Sequence, residues 1–227
     1  MRRFAIYYAP NESASLTRAA AAWLGRDAFT GAVLQAPETN GISREQWDAV
    51  VSDPRAYGFH ATLKPPFRLA DGATEQDLRA RLRRFAAARR PFTTYLELGS
   101  LARFIALVLA QPCSEFAALA ADCVQEFDDF RASPTAEELA RRRNGRLNNA
   151  QLAYLTKWGY PYVMEEWRFH MTLTASLGQE TFQAAHSYLF RLFEPLCREP
   201  LCVDSVCLFA QEAAGAPFVV RDRFAFA

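Results

Sequence analysis

Apolar positions along this chain recur now with a period of two and now with a period near 3.6, and the changes of period divide it into strands and helices. Residues 1–8 hold a short apolar run that reads as a first strand, ended by Pro10. Asn11 to Ser15 offer caps for a helix carrying Leu16, Ala19, Ala20, Trp23 and Leu24, which stops at Gly25. Residues 26–56 are punctuated by glycine and proline and read as irregular, with a short helix around Trp47. Residues 59–64 alternate as a strand does and end at Pro65-Pro66. Thr74 caps a helix with Leu78, Leu82 and Phe85 on one stripe, and strands over 93–98 and 103–109 flank Gly99-Ser100 as a hairpin.

The second half repeats much of this order. Phe116, Leu119, Cys123, Phe127 and Phe130 form the stripe of a helix, Ser133-Pro134 starts another that Gly145 closes, and Asn148 or Asn149 starts a third that ends at Gly159. A strand over 164–174, a helix carrying Phe182, Ala185, Leu189 and Phe193, and strands over 201–209 and 218–226 complete the chain. This repetition predicts an α/β (α+β) class fold, duplicated and two-lobed, with antiparallel sheets, helices on the outer faces and a central cleft. No linker separates the halves, so residues 1–227 are read as one domain with lobes at 1–112 and 113–227. Residues 130–159 exceed what the repeat requires and read as a lid or substrate-selecting insertion, with Arg146, Tyr154 and Lys157 on it.

Composition narrows the setting. Hydrophobic residues make up 51% and charged residues 22% of 227, ordinary for a globular protein, and a net charge of +1 gives no general attraction to extended nucleic acid or to a membrane surface. Neither the opening segment nor any other is apolar for long enough to be a secretory signal or a spanning helix, so a cytoplasmic location is expected. The five cysteines include no CxxC pair and read as reduced thiols, with Cys202 and Cys207 facing opposite ways.

The chemistry is carried by a motif that occurs twice: Tyr57-Gly58-Phe59-His60-Ala61-Thr62-Leu63 and Trp167-Arg168-Phe169-His170-Met171-Thr172-Leu173. Two of the three histidines share this context. Phe, Thr and Leu at fixed offsets from a histidine coincide by chance in roughly one case in a few thousand. Strand alternation sends His60 and Thr62 to one face and Phe59, Ala61 and Leu63 to the other, and treats His170 and Thr172 likewise. The same parity sets Lys64 beside Thr62 and Arg168 beside His170, as candidate substrate-binding cations, and Tyr8 at the end of the first strand is a candidate stacking group. Such a cleft holds two imidazoles able to act as general base and general acid near neutrality, and two hydroxyls to donate to phosphate oxygens. No carboxylate cluster accompanies the histidines, so neither metal nor cofactor is expected.

The paired His-x-Thr motifs resemble the two-histidine phosphoesterase superfamily, and His60/Thr62 and His170/Thr172 match its pattern. More narrowly, residues 57–67 and 146–173 are similar to a bacterial family encoded near phosphonate-utilisation genes. The resemblance implies a metal-independent phosphodiesterase that opens a small cyclic phosphate of a nucleoside or ribose, with a small phosphate ester as its partner. Two alternatives stand beside it: an enzyme processing RNA 2′,3′-cyclic ends, and a module that binds a phosphate ligand without turnover.

Overall fold

A computed structural model describes residues 1–39, 41–143 and 147–227; Gly145 and Arg146, singled out above, lie outside the described residues. The fold is mixed α/β. Strands β1 (Arg3–Tyr8), β2 (Ala61–Phe67), β4 (Leu96–Leu101), β5 (Phe104–Leu109), β6 (Met171–Thr172), β8 (Ser205–Gln211) and β9 (Val219–Ala225) form one sheet in the order β4-β5-β6-β2-β1-β8-β9. Every neighbouring pair in it is antiparallel. A separate ribbon pairs β3 (Phe92–Thr94) with β7 (Leu201–Val203). The strands of the two halves therefore interleave in a single sheet, meeting at β5–β6, β6–β2 and β1–β8, and the central seam is the β6–β2 pair that carries both motifs.

Helices α1 (Ser15–Leu24), α2 (Arg44–Tyr57), α3 (Glu75–Ala87), α4 (Ser114–Glu126) and α7 (Gln179–Cys197) contribute to one large core that also holds Phe4, Ile6 and Tyr8 of β1. Ala5 and Tyr7, of opposite parity, fall in a smaller cluster with Ala28, Phe209 and Phe218. The outer helices thus share one face of the sheet. Two further helices, α5 (Ala136–Arg143) and α6 (Asn149–Trp158), occupy the expected insertion. Local chemistry sets many of the ends. Thr74 accepts from the Asp77 amide, Asn148 and Gln151 form a capping box, and Gly25 and Gly159 end their helices at φ 69° and 70°. No described helix is long and apolar enough to cross a membrane.

Three expectations need correction. The segment around Trp47 is a helix of 14 residues, started by a Ser43–Gln46 capping box and carrying Pro54 only in its last turn. The strand predicted over 164–174 shrinks to Met171–Thr172, after a 3₁₀ turn at Met164–Glu166. Side chains take over the ladder on either side of it. The Trp167 indole donates to the Thr62 carbonyl at 2.8 Å, and Thr174 Oγ1 accepts from the Ile105 amide at 2.9 Å. β2, by contrast, runs on through Pro65-Pro66, where β6 no longer pairs with it and its outer edge needs no amide donors.

β2 also contains a bulge. Tyr7 pairs with Thr62 and Ile6 with Lys64, so Leu63 is left without a partner and parity reverses after it. Lys64 consequently turns to the helical face, 1% exposed, where its ammonium donates to the Val124 carbonyl at 3.0 Å and to Asp128 at 3.2 Å. Arg131 grips the same carboxylate through two bonds. Burial lowers the Lys64 pKa to about 8 in spite of Asp128. Lys64 is a core cation and does not stand beside Thr62. Asp128→Asn leaves the Lys64 charge buried without a counter-charge and should cost roughly 3 kcal/mol in urea unfolding, whereas Lys64→Met leaves Asp128 bound to Arg131 and should stay within about 1 kcal/mol of the parent.

Candidate active site

The site is built on the seam of the sheet. Ala61 of β2 pairs with Met171 of β6, and each is the residue after its histidine. Antiparallel pairing about that point sets His60 across from Thr172 and Thr62 across from His170, on one face and about a local twofold axis. Phe59, Ala61, Leu63, Phe169, Met171 and Leu173 are all buried in the large core, as the alternation requires.

Both histidines are held in the same way. His60 Nδ1 lies 2.8 Å from the Gly58 carbonyl, and His170 Nδ1 lies 2.8 Å from the Arg168 carbonyl. A carbonyl only accepts, so each Nδ1 carries the proton and each Nε2 presents a lone pair to the cleft. The Thr62 hydroxyl donates to His60 Nε2 at 3.3 Å. Tyr7 stacks on the His60 ring, with centroids 3.8 Å apart and planes 20° from parallel, and Phe209 and Tyr57 lie beside it. His170 has one aromatic neighbour at longer range, Phe104 at 5.8 Å. Burial lowers the His60 pKa to about 4, against the opposing pull of the Gly58 carbonyl, and the charge of His170 lowers it further. Burial also lowers that of His170, again opposed by its carbonyl.

A cavity of about 520 Å³ opens here, lined among others by Asp53, Tyr57, His60, Phe104, Tyr160 and Thr172. That volume suits a small molecule. Of the candidates named from sequence, His60 and Thr172 line this cavity, and the pairing of Ala61 with Met171 sets Thr62 and His170 beside them on the same face of the sheet. The other three lie elsewhere. Lys64 is under the sheet. Tyr8 is fully buried, its ring edge-on to Phe116 and its hydroxyl donating to the Cys202 carbonyl at 3.0 Å. Arg168 is exposed and its guanidinium donates to the Glu165 and Trp167 carbonyls. Tyr7, Tyr57, Phe104, Tyr160 and Asp53 were missed. Tyr7 was within reach of sequence reasoning, because on a strand beside β2 it is Tyr7, one residue from Tyr8, that shares the histidine face. Among the described residues, no three His, Cys, Asp or Glu side chains are grouped to hold a metal ion, and all five cysteines are free thiols.

Gly58 sets the position of His60. It has φ 79°, and a Cβ there would lie 2.4 Å from that of Ala28. Gly58→Ala should therefore displace the carbonyl that orients the imidazole. The expected cost is roughly 1–3 kcal/mol, read as a fall in Tm of roughly 3–10 °C by calorimetry.

Residues 62–219 match a family model described as a protein of unknown function, DUF1045. The chain is 37% identical over 231 residues to the ribose 1,5-bisphosphate phosphokinase PhnN of Janthinobacterium sp. (strain Marseille), an alignment covering 100% of the chain and 51% of that protein. It is 34% identical over 216 residues to the protein of the same name from Laribacter hongkongensis (strain HLHK9), covering 95% and 50%. The chain spans about half the length of the curated relatives it matches. Among solved structures it is similar to one described as a phosphoesterase, with a TM-score of 0.41 and 14% identity, and to E. coli LigT complexed with 3′-AMP, with a TM-score of 0.43 and 13% identity. Each of these covers 100% of the chain and 98% of the solved chain. The family model spans well over half of the sequence, and the chain belongs to the DUF1045 family.

Proposed function

We propose that this chain is a phosphoester-acting enzyme that hydrolyses a small cyclic phosphodiester of a nucleoside or ribose without a metal ion, with His60 as general base and His170 as general acid. The observation that carries the reading is the matched pair of Nδ1–carbonyl bonds, which leaves both Nε2 atoms unencumbered by backbone on residues that flank the paired Ala61 and Met171. His60, stacked under Tyr7 and depressed in pKa, is held neutral and suits the base. It takes a proton from water as the water oxygen bonds to phosphorus. His170, in imidazolium form, gives its Nε2 proton to the sugar oxygen as the phosphorus–oxygen bond of the ring breaks. The bound phosphodiester anion favours that imidazolium. Thr62 and Thr172 donate to the non-bridging oxygens, on which charge builds.

The kinase name of the longer relatives does not transfer to this chain on its residues. A phosphate-cradling loop of the P-loop type needs Gly-Lys, and the two lysines here follow Leu63 and Thr156. The ribose phosphate in that name supports a role in the chemistry of ribose phosphates, and the PhnN name supports a place in phosphonate metabolism. The RNA-end reading gains no support from the cleft, whose described lining residues include no lysine or arginine.

With chelator present, the chain should open a nucleoside 2′,3′-cyclic phosphate, and His60→Gln or His170→Gln should each lower kcat roughly 10²–10⁴-fold with little change in Tm. A strict requirement for added metal refutes the scheme. So does full activity in either variant. The pH dependence is also fixed in sign. The base must be deprotonated and its pKa is lowered to about 4, while the acid must be protonated and its pKa is lowered from 6.5. The pH profile of kcat/KM should be a bell whose maximum lies on the acid side of pH 6.5, its limbs reporting the coupled pair.

A further inference from the structure

The cleft has an unusual charge balance for a phosphate site. Both cations expected to face it are engaged elsewhere, Lys64 with Asp128 in the core and Arg168 with carbonyls at the surface. Among the described lining residues there is no lysine or arginine, and the one carboxylate is Asp53. Asp53 sits in the last turns of α2, one turn before Tyr57, and is exposed at the cavity wall. Among the described residues its carboxylate has no ion pair and no side-chain hydrogen bond. Arg142 stands over the Tyr160 ring at 5.4 Å, and is not among the residues lining the cavity. Tyr57, stacked by its ring on Phe218 at 5.3 Å and 37% exposed, adds an uncharged flat surface beside Asp53.

We infer that the cleft selects cyclic phosphodiesters whose ring phosphate is their sole negative charge, and that Asp53 is a specificity-determining residue which excludes substrates carrying a further phosphate. The inference rests on the paired-histidine reading and deepens it. A ring phosphodiester brings one negative charge, which an imidazolium at His170 balances. A terminal phosphomonoester adds nearly two more, meets no cation in the described lining and faces the Asp53 carboxylate. Repulsion between two such partly screened charges corresponds to roughly a fivefold to tenfold effect. Tyr57 and Tyr160 accept a sugar or base without charge, so the selection is against phosphate and not against size.

The test compares uridine 2′,3′-cyclic phosphate with its 5′-phosphorylated counterpart at low and high salt, on the full chain and on Asp53→Asn. The parent should favour the singly charged compound by at least about fivefold in kcat/KM. Asp53→Asn should narrow that ratio about fivefold to tenfold, and added salt should narrow it in the parent far more than in the variant. Equal use of the two compounds by the parent, a preference for the doubly charged one, or an unchanged ratio in the variant overturns the inference. Failure of both compounds to turn over refutes the catalytic reading separately. Calorimetric Kd values for the same two compounds then decide the selection: the singly charged one must bind more tightly, and the gap must close in Asp53→Asn. Absence of binding by either overturns it.

Discussion

The pairing of Ala61 with Met171 is the constraint on which the arrangement depends. It is a short contact, since β6 contributes only Met171 and Thr172 to the ladder. Yet it joins the two halves of the sheet and sets the relative position of four polar side chains at once. Antiparallel geometry makes that position symmetric, so each histidine has the other motif's threonine as its cross-strand neighbour. The apolar members of the same strands, Phe59, Leu63, Phe169 and Leu173, fix the register from below, because a slip of one residue would send the histidines into the core. Trp167 and Thr174 tie the strands on either side by lending side-chain groups to backbone partners.

The symmetry is broken in the surroundings. Glycine precedes His60 by two residues and arginine precedes His170 by two, so one carbonyl lies in a tight crossing against Ala28 and the other at an exposed turn. Tyr7 covers one imidazole closely, while Phe104 approaches the other from farther off. Two rings with the same hydrogen bond thereby acquire different solvation, and different solvation separates their proton affinities. On the reading proposed above, that separation gives one ring the basic task and leaves the acidic one to its partner.

Much of this was legible in the residues. Apolar periodicity placed most of the elements, and the duplicated His-x-Thr sequence singled out four side chains that do converge. What failed depended on pairing, which a single sequence does not display. Lys64 was misplaced because one unpaired residue in β2 inverts the alternation, and no local signal in Thr62-Leu63-Lys64 marks a bulge. Tyr8 was named and Tyr7 was not, because the face of β1 is defined only once β2 lies beside it. The length of β6 was overestimated because Trp167 and Thr174 satisfy the backbone with side-chain atoms, a substitution that leaves the hydrophobic pattern of a longer strand intact. Asp53 and Tyr57 were hidden for another reason: they belong to the end of a helix that glycine- and proline-rich punctuation had disguised as loop.

The seam also has a consequence for how the molecule matures. Its two strands are separated by more than a hundred residues, so closing it exacts a large loop entropy that local hairpins such as β4–β5 do not incur. Segments on either flank can gather early, but the juxtaposition of the two motifs belongs among the late, long-range events of folding. A newly made or partly melted chain would therefore retain most of its secondary structure while lacking the formed pocket, and on the reading proposed above activity would report on completed assembly of the sheet.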